Sequence, residues 1–368
     1  MRVDLVDPPA YSPPYDHALA AALARHGASV RLVTSSFAYG QAPAPDGYTR
    51  EERFYRHARG PAGSRVRALT KRAEHPLDML RYRAAAARDA DVVHFEWLTV
   101  PRLDLRLLPA RPTVLTIHDP LERGRERPLP ASAFASVDAV VVHSEYAKQV
   151  VVDQHQLDPE RIHVIRHGAL GEKPSPSDGF SPSIPSELID DGTPVVLSYG
   201  LIRPYKGVET LLAAWRGIEH AQLWIVGRPM IDVSGLFVAA PAGARLVPRF
   251  VTAQEEAALF DRADLVVLPY ERSERFGFSG VLATALGHGK AIVLSDVGGF
   301  AELAAAGAAR LVTAGDAAAL HETLAELIAD GDQRARLAAA AAQAASEQYS
   351  WDAAARATLA LYETIAAA

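Results

Sequence analysis

Short apolar runs alternate with amphipathic helical segments along most of the chain. Residues 3–6 and 29–34 are apolar runs of strand length, and the apolar spacing between them predicts a helix over residues 17–26. A strand, a helix and a second strand in this order open a doubly wound parallel sheet. The loop after the first run holds four prolines and no glycine-rich fingerprint, so it does not indicate a dinucleotide site.

The alternation returns in the second half of the chain and predicts a second sheet. Residues 171–192 are rich in Pro, Ser, Gly and acidic residues and lack an apolar period, which indicates a linker. We therefore predict an α/β fold with two Rossmann-like, doubly wound parallel-sheet domains whose strand ends face a central cleft. The predicted boundaries are residues 1–172 for the first domain, completed by a C-terminal helix over 350–368, residues 173–192 for the linker, and residues 193–349 for the second domain.

One predicted strand-to-helix loop of the second domain carries two cations. Arg203 and Lys206 follow an apolar run over residues 194–197, and Gly200 and Gly207 bracket them. Backbone N–H groups at a helix start attract anions, and glycine lets an anion approach closely. Arg and Lys add charge-assisted hydrogen bonds, so a diphosphate fits this loop. The alternative is a solvated loop that happens to hold two cations.

A second loop with similar features precedes another predicted helix. Gly277, Ser279 and Gly280 come just before a helix that is predicted to begin near Val281. Exposed N–H groups and the Ser279 hydroxyl could bind an anion there. An ordinary turn would have the same sequence features, but two such loops in one domain favour a diphosphate site.

Four further residues lie at or after predicted strand ends, where open α/β sheets bind their ligands. His94 and His118 lie near the ends of two predicted strands of the first domain, and a functional role for them is about as well supported as a structural one. Arg228 and Val251 follow strands of the second domain. We predict that they line a flat slot for a nucleobase, with backbone groups of Val251 reading its edge.

Composition narrows the class of protein. The chain has 368 residues, a net charge of −6, 49% hydrophobic residues and no cysteine. This excludes disulfides and cysteine nucleophiles, and it argues against a nucleic-acid partner. No apolar stretch reaches the roughly 20 residues of a membrane span, and acids interrupt the first apolar run, so we expect a cytoplasmic protein. The acidic pair Asp89 and Asp91 precedes a strand and is interpreted as structural, so no metal site is predicted.

One segment has the opposite charge to the chain as a whole. Residues 50–88 carry eleven Lys or Arg against four acidic residues. The simplest interpretation is a solvated helical face. The functional alternative is contact with anionic lipid head groups, at the inner face of a membrane, or with an anionic acceptor.

Several segments resemble family 4 glycosyltransferases in the order that the family shows. In the second domain these are residues 200–207, 263–270, 279–282 and 289–299; in the first they are residues 91–94, 116–119, 137–147 and 167–168. The resemblance covers most of the chain and implies a GT-B fold. It also implies a nucleotide-sugar donor, retention of anomeric configuration and no essential metal or other cofactor. The acceptor could be a saccharide, a lipid-linked molecule or a small molecule.

The resemblance also assigns residues by position. Arg203 and Lys206 would hold the diphosphate, and His118 would lie beside the donor sugar as the third catalytic residue. The donor-binding set is completed by Gly200, Arg228, Val251, Phe278, Ser279, Gly280, Val281, Leu282 and Thr284. Tyr15, His17 and His94 are the predicted acceptor-side residues, and Ser350 and Trp351 match the point where the last helix returns to the first domain.

The chain departs from the family pattern at one pair of positions. Many family members have two glutamates separated by seven residues, and Phe276 and Thr284 occupy those positions here. Thr284 can still donate one hydrogen bond to a ribose, whereas Phe276 cannot replace a carboxylate and Glu274 is out of register. We predict a glycosyltransferase whose donor base and sugar stay open. The alternatives are a non-catalytic partner subunit of the same fold or a nucleotide-sugar epimerase.

Overall fold

The computed structural model divides into two compact units. The first unit is Met1–Gly168 with Ser350–Ala368, and the second is Ala169–Tyr349. The structure describes residues 1–38, 40–58, 60–61, 63–119, 129–171, 183–238, 240–272 and 278–367. The first ten residues of the predicted linker, together with Glu274, Phe276 and Gly277, lie outside the described residues.

The first unit contains a seven-stranded sheet in which every neighbouring pair is parallel. Its strands are β1 (Arg2–Asp7), β2 (Ser29–Ser35), β3 (Thr49–Phe54), β4 (Val92–Phe95), β5 (Thr113–Thr116), β6 (Ala139–Val142) and β7 (Ile162–Val164). The spatial order is β3-β2-β1-β4-β5-β6-β7, so the strand order reverses between β1 and β4. The helices of this unit are α1 (Pro13–Arg25), α2 (Arg65–Asp89), α3 (Pro101–Asp104), α4 (Glu145–His155) and α12 (Trp351–Ala367).

The second unit contains a six-stranded parallel sheet of the same kind. Its strands are β8 (Val195–Tyr199), β9 (Gln222–Val226), β10 (Ala244–Val247), β11 (Leu265–Leu268), β12 (Ala291–Ser295) and β13 (Arg310–Val312), in the order β10-β9-β8-β11-β12-β13. Its helices are α5 (Val208–Trp215), α6 (Ser234–Val238), α7 (Ala253–Arg262), α8 (Gly280–Gly287), α9 (Phe300–Ala305), α10 (Ala317–Ala329) and α11 (Gly331–Glu347). Two parallel Rossmann-like sheets confirm the predicted fold class.

Both faces of each sheet are covered by apolar side chains, which explains why the central strands are continuous apolar runs. In β11, Val267 packs in a cluster with Trp215, while Val266 packs in a second cluster with Trp224. All four of these side chains are at most 1% exposed. Successive residues therefore contribute to opposite faces of the same sheet, as the pleat of a strand requires.

The last helix belongs to the core of the first unit. Leu361 and Tyr362 of α12 pack in one cluster with Leu19 and Leu23 of α1. The Ser350 hydroxyl accepts a hydrogen bond from the Ala353 N–H at 3.2 Å, as an N-cap does.

Strand β3 is absent from the elements predicted for the cationic segment over residues 50–88. Five of its six side chains are polar or charged, and only Phe54 is buried. It lies at one edge of the sheet and therefore lacks the apolar pattern of a central strand. The rest of the segment contains α2, as a helical face requires. Among the described residues, the helices are too short or too polar to cross a bilayer.

Candidate functional site

The cationic loop of the second unit follows β8 and leads into α5. Arg203 precedes a single 3₁₀ turn that ends at Lys206, and α5 begins directly after Gly207. Gly207 has φ +66°, a conformation that costs side-chain-bearing residues energy. A Cβ atom at this position would lie 1.8 Å from the Pro269 carbonyl oxygen, so the loop lies directly against the chain that follows β11.

Gly200 and Gly227 bring neighbouring strand-end loops into contact. A Cβ at Gly227 would lie 1.9 Å from the Gly200 carbonyl oxygen, and a Cβ at Gly200 would lie 2.9 Å from Val281 Cγ2. The loops after β8 and β9 also pair through the Ile202 N–H, which donates to the Arg228 carbonyl at 3.0 Å. The predicted donor residues Gly200, Arg228 and Val281 are therefore brought together at the carboxyl ends of β8 and β9.

Lys206 is a partly buried cation held against aromatic rings. Its ammonium group donates to the Tyr270 hydroxyl and lies 3.9 Å from the centroid of the Tyr270 ring. Burial, with a smaller contribution from the positive charge of Arg203, lowers the pKa of Lys206 to about 7. The approach of a diphosphate would reverse this shift, because an opposite charge favours the protonated amine.

Tyr270 connects Lys206 to the start of α8. The Tyr270 hydroxyl and the Ser279 hydroxyl are 3.0 Å apart, and the Ser279 oxygen accepts the Leu282 N–H at 3.4 Å as the N-cap of α8. Tyr270 is only 2% exposed, and burial raises its pKa. Tyr270 could not be selected from the sequence, because its link to Lys206 joins residues 64 positions apart.

The beginning of α8 provides only part of the predicted set of hydrogen-bond donors. The first N–H groups of any α-helix have no intrahelical acceptor, which leaves Gly280 and Val281 as candidate anion donors. The Leu282 N–H instead bonds Ser279. The Thr284 hydroxyl donates to the Gly280 carbonyl at 3.0 Å, so its single proton is not directed at a ribose as expected.

An aromatic residue that the sequence analysis missed accompanies the predicted nucleobase slot. The guanidinium carbon of Arg228 lies 5.4 Å from the ring centroid of Phe250. Phe250 is 56% exposed, and Val251 beside it is partly buried. An exposed ring and a planar cation are the surfaces on which a base can stack. Phe278, also predicted, is partly buried and stacks at 6.1 Å on Tyr349.

In the first unit, five rings converge at the carboxyl ends of the strands. Tyr15 lies at the centre, with ring centroids 4.8 Å from His118, 5.5 Å from His143, 4.9 Å from His167 and 5.1 Å from Trp351. Tyr15 is only 6% exposed, so its ring packs within this cluster and its hydroxyl is not presented to solvent. Two predicted residues, Tyr15 and His118, thus lie together.

His118 is the middle member of a hydrogen-bonded chain. Its Nδ1 is 3.1 Å from His143 Nε2, and its Nε2 is 3.1 Å from Glu96 Oε2. His143 Nδ1 in turn donates to the Ile165 carbonyl, at 2.9 Å. Burial lowers the pKa of His143 to about 3 and raises the pKa of Glu96, which is completely buried. Glu96 follows β4 directly, and the sequence analysis passed over it.

The other two acceptor-side predictions have different surroundings from those expected. His94 is 1% exposed and bonds the Tyr362 hydroxyl at 2.6 Å and the Thr116 hydroxyl at 2.7 Å. It pairs within the sheet one residue before β4 ends, so it lies near the strand end as predicted, and its acceptor-side role stays a prediction. His17 lies on α1, and its Nδ1 is 3.0 Å from the Tyr48 hydroxyl. It is not one of the described rings that surround Tyr15.

A strand-end loop held by buried carboxylates lies beside this cluster. Asp7 Oδ2 accepts the Tyr11 N–H at 2.7 Å, and Asp16 Oδ1 accepts the Ser12 hydroxyl at 3.3 Å. Burial raises the pKa of both Asp7 and Asp16, and the proximity of the two carboxyls raises that of Asp16 further. The loop after β1 is therefore ordered from within the first unit.

Two Rossmann-like sheets, with a cationic loop at the strand ends of the second, agree with the GT-B glycosyltransferase class that the sequence resemblance implies. The family model of "Glycosyltransferase Family 4" matches residues 15–169, and that of "Glycosyl transferases group 1" matches residues 193–330. The chain belongs to the family 4 glycosyltransferases, which confirms the resemblance found in its sequence.

Two relatives and one solved structure show what the chain is similar to. A D-inositol 3-phosphate glycosyltransferase of Xylanimonas cellulosilytica is 28% identical, over 94% of this chain and 89% of its own length. An alpha-maltose-1-phosphate synthase of Mycolicibacterium smegmatis is 30% identical, over 76% of this chain and 81% of its own. Anabaena Alr3699/HepE, solved in complex with UDP-glucose, shares the fold with a TM-score of 0.69 and 18% identity, over 99% of this chain and 100% of its own.

Proposed function

We propose that this glycosyltransferase moves a sugar from a nucleoside diphosphate donor to an acceptor hydroxyl, with retention of configuration and without an essential metal. The observation that carries the proposal is the link from Lys206, in the loop that also holds Arg203, through the Tyr270 hydroxyl to Ser279, the N-cap of α8, at the carboxyl ends of parallel strands. These groups supply positive charge and hydrogen-bond donors of the kind that a diphosphate requires.

The relatives support the choice of donor and acceptor classes. HepE was solved with UDP-glucose, and another relative is named for the glycosylation of an inositol phosphate. We propose a nucleotide sugar as donor and a saccharide, a lipid-linked molecule or a small polyol as acceptor. Retention and independence of metal follow from the family resemblance; a product of opposite anomeric configuration, or turnover abolished by a chelator, would contradict them.

The proposed mechanism stabilises the charge that develops on the leaving group. As the bond between the sugar anomeric carbon and the diphosphate oxygen breaks, negative charge grows on the diphosphate beside Arg203 and Lys206. Preorganised donors aimed at such charge usually make the largest catalytic contribution. The acceptor oxygen then forms the new bond on the face that the diphosphate leaves, and its proton passes to a phosphate oxygen of the leaving group.

Proton uptake on nucleotide binding tests the role of Lys206. Because the pKa of Lys206 is about 7 in the free protein, its amine is mostly neutral at pH 8. A bound diphosphate raises that pKa, so we expect uptake of close to one proton at pH 8, and an affinity that falls as the pH rises above 7. Calorimetry of UDP, GDP, ADP and dTDP in two buffers of different ionisation enthalpy measures this uptake.

The matched control is Lys206→Arg, which keeps a charge that does not titrate. It should bind the same nucleotide with no proton uptake at pH 8. Proton uptake that persists in Lys206→Arg would show that another group titrates. If none of the four nucleotides bound the wild-type protein, the proposed donor class would be wrong.

A second proposal concerns the outer face of α2 in the first unit. We propose that it contacts a membrane surface that contains anionic lipids. Exposed apolar residues recur along α2 at spacings of three, eight and three residues, which places them on one face at about 100° per residue. They are Val66 (69% exposed), Leu69 (64%), Leu77 (50%) and Leu80 (48%).

The charges of α2 fit the same surface. The buried residues of α2, including Met79 and Tyr82, lie on the opposite face of the helix. Exposed arginines flank the apolar stripe on both sides: Arg65, Arg72 and Arg83 on one, Arg81 and Arg88 on the other. An apolar stripe between cations is the pattern of a helix that lies in the interface of an anionic bilayer.

The double variant Leu69→Ser, Leu77→Ser is expected to lower vesicle binding at least tenfold, because each leucine loses apolar area that the lipid would bury. Cosedimentation with phosphatidylglycerol vesicles measures the effect. Ile189→Ser is the matched control, since Ile189 is an exposed apolar residue like Leu69 and Leu77, at 69% exposure, but lies in the second unit. Binding by the double variant equal to that of the wild type, or equal wild-type binding to neutral vesicles, would contradict the proposal.

A further inference from the structure

The hydrogen-bonded chain through His118 fixes the number of protons that it holds. Three hydrogen bonds connect the Ile165 carbonyl, His143, His118 and Glu96, at 2.9, 3.1 and 3.1 Å. Each hydrogen bond contains one hydrogen, and the backbone carbonyl cannot supply one. His143, His118 and Glu96 therefore hold three protons between them. Two neutral imidazoles and one carboxylate would hold two, so the group carries one more and has no net charge.

The same geometry resists both loss and gain of a proton. Removing one would leave two lone pairs facing each other across a buried hydrogen bond, and adding one would place two hydrogens in the same bond. Glu96 is completely buried and His143 is 3% exposed, so water does not relieve either arrangement. The other ionisable groups that act on this chain are Asp7 at the end of β1, Tyr15 and Asp16 of α1, His94 of β4, His167 after β7 and Tyr362 of α12.

We propose that Glu96 is the positioning residue of His118, and that the two histidines and Glu96 act as one neutral unit with a fixed proton count. Both ring nitrogens of His118 are then committed to the protein. Ring contacts add to these hydrogen bonds, since His118 is stacked at 4.7 Å on Trp97 and lies edge-on at 4.8 Å to Tyr15. It does not take the proton of the acceptor hydroxyl, in agreement with transfer of that proton to the leaving phosphate. This role in the reaction rests on the proposed function.

Nitrogen NMR of the histidine rings tests the proton count directly. In protein labelled with ¹⁵N-histidine, the His118 signals, assigned by their loss in His118→Asn, should not change between pH 6 and pH 8. A free histidine titrates near pH 6.5 and would change across this range. Titration of His118 in the wild-type protein with a midpoint near 6.5 would overturn the proposal.

Kinetics of Glu96 variants test the positioning role. We expect Glu96→Ala and Glu96→Asp to lower kcat for transfer about 10–100-fold, because small displacements of a group at a reaction centre cost about this much. Glu96→Gln should recover most of the rate, because an amide can pair with the His118 ring in either protonation state. The affinity for UDP should change less than twofold in all three variants, since the candidate diphosphate residues lie in the second unit.

Two kinetic results would overturn the proposal. One is a transfer rate of Glu96→Ala within twofold of the wild type. The other is a Glu96→Gln rate as low as that of Glu96→Ala, which would make the charge rather than the hydrogen bond decisive. If Glu96→Ala fails to fold, the aspartate and glutamine variants still decide. If the wild-type protein transfers no sugar at all, the proposed function fails, while the NMR experiment still tests the proton count.

Discussion

Replacing Lys206 with alanine is expected to lower kcat about 10²–10³-fold, the usual loss when one preorganised donor to a developing negative charge is removed. The ammonium of Lys206 is held by the Tyr270 hydroxyl and ring, so it is ordered before any donor binds. Steady-state transfer with the nucleotide sugar that binds best measures the loss. The fold should be preserved, because the substitution removes a charge whose burial is unfavourable.

The control for Lys206→Ala is Arg216→Ala in the same unit. Arg216 is an exposed cation that follows α5, whereas Lys206 precedes that helix. The control should keep its rate within about twofold, since surface substitutions away from such features have small effects. Equal rates for Lys206→Ala and the wild type would show that Lys206 does not stabilise the leaving diphosphate.

Replacing Gly207 with alanine is expected to destabilise the second unit by about 2–5 kcal/mol and to abolish nucleotide binding. The left-handed conformation at φ +66° costs about 1–2 kcal/mol for a residue with a Cβ atom. The new Cβ would also lie 1.8 Å from the Pro269 carbonyl oxygen, and such overpacking adds about 1–3 kcal/mol. Urea unfolding measures the stability, and calorimetry measures the binding.

Gly217→Ala separates the two contributions. Gly217 also has a positive φ, +81°, but a Cβ atom added there would meet nothing within 4 Å beyond its own chain neighbours. It should therefore show only the conformational cost of about 1–2 kcal/mol. If the two alanine variants lost the same stability, the contact between the loop and Pro269 would be looser than the structure has it.

The fold could be predicted from the sequence because buried parallel strands are continuous apolar runs with turns between them. Strand β11 is such a run, and its residues are all buried. Strand β3 was missed because an edge strand needs few apolar residues, and only Phe54 of β3 is buried. Sequence patterning therefore recovers the centre of a sheet more readily than its edge.

The candidate site could be predicted only where its groups are close in sequence. Arg203, Lys206 and Gly207 lie within five residues, so their loop was found from the sequence. The partners that orient the functional groups come from elsewhere in the chain: Tyr270 is 64 residues from Lys206, and Glu96 is 22 residues from His118.

The placement of α12 has a consequence for biosynthesis. The helix that completes the core of the first unit is made only after the whole of the second unit. Leu19 and Leu23 therefore lack their contacts with α12 while the ribosome translates some 180 further residues, from Ala169 to Tyr349. The second unit can therefore finish folding before the first, and the first unit reaches its final form only after the second has been made.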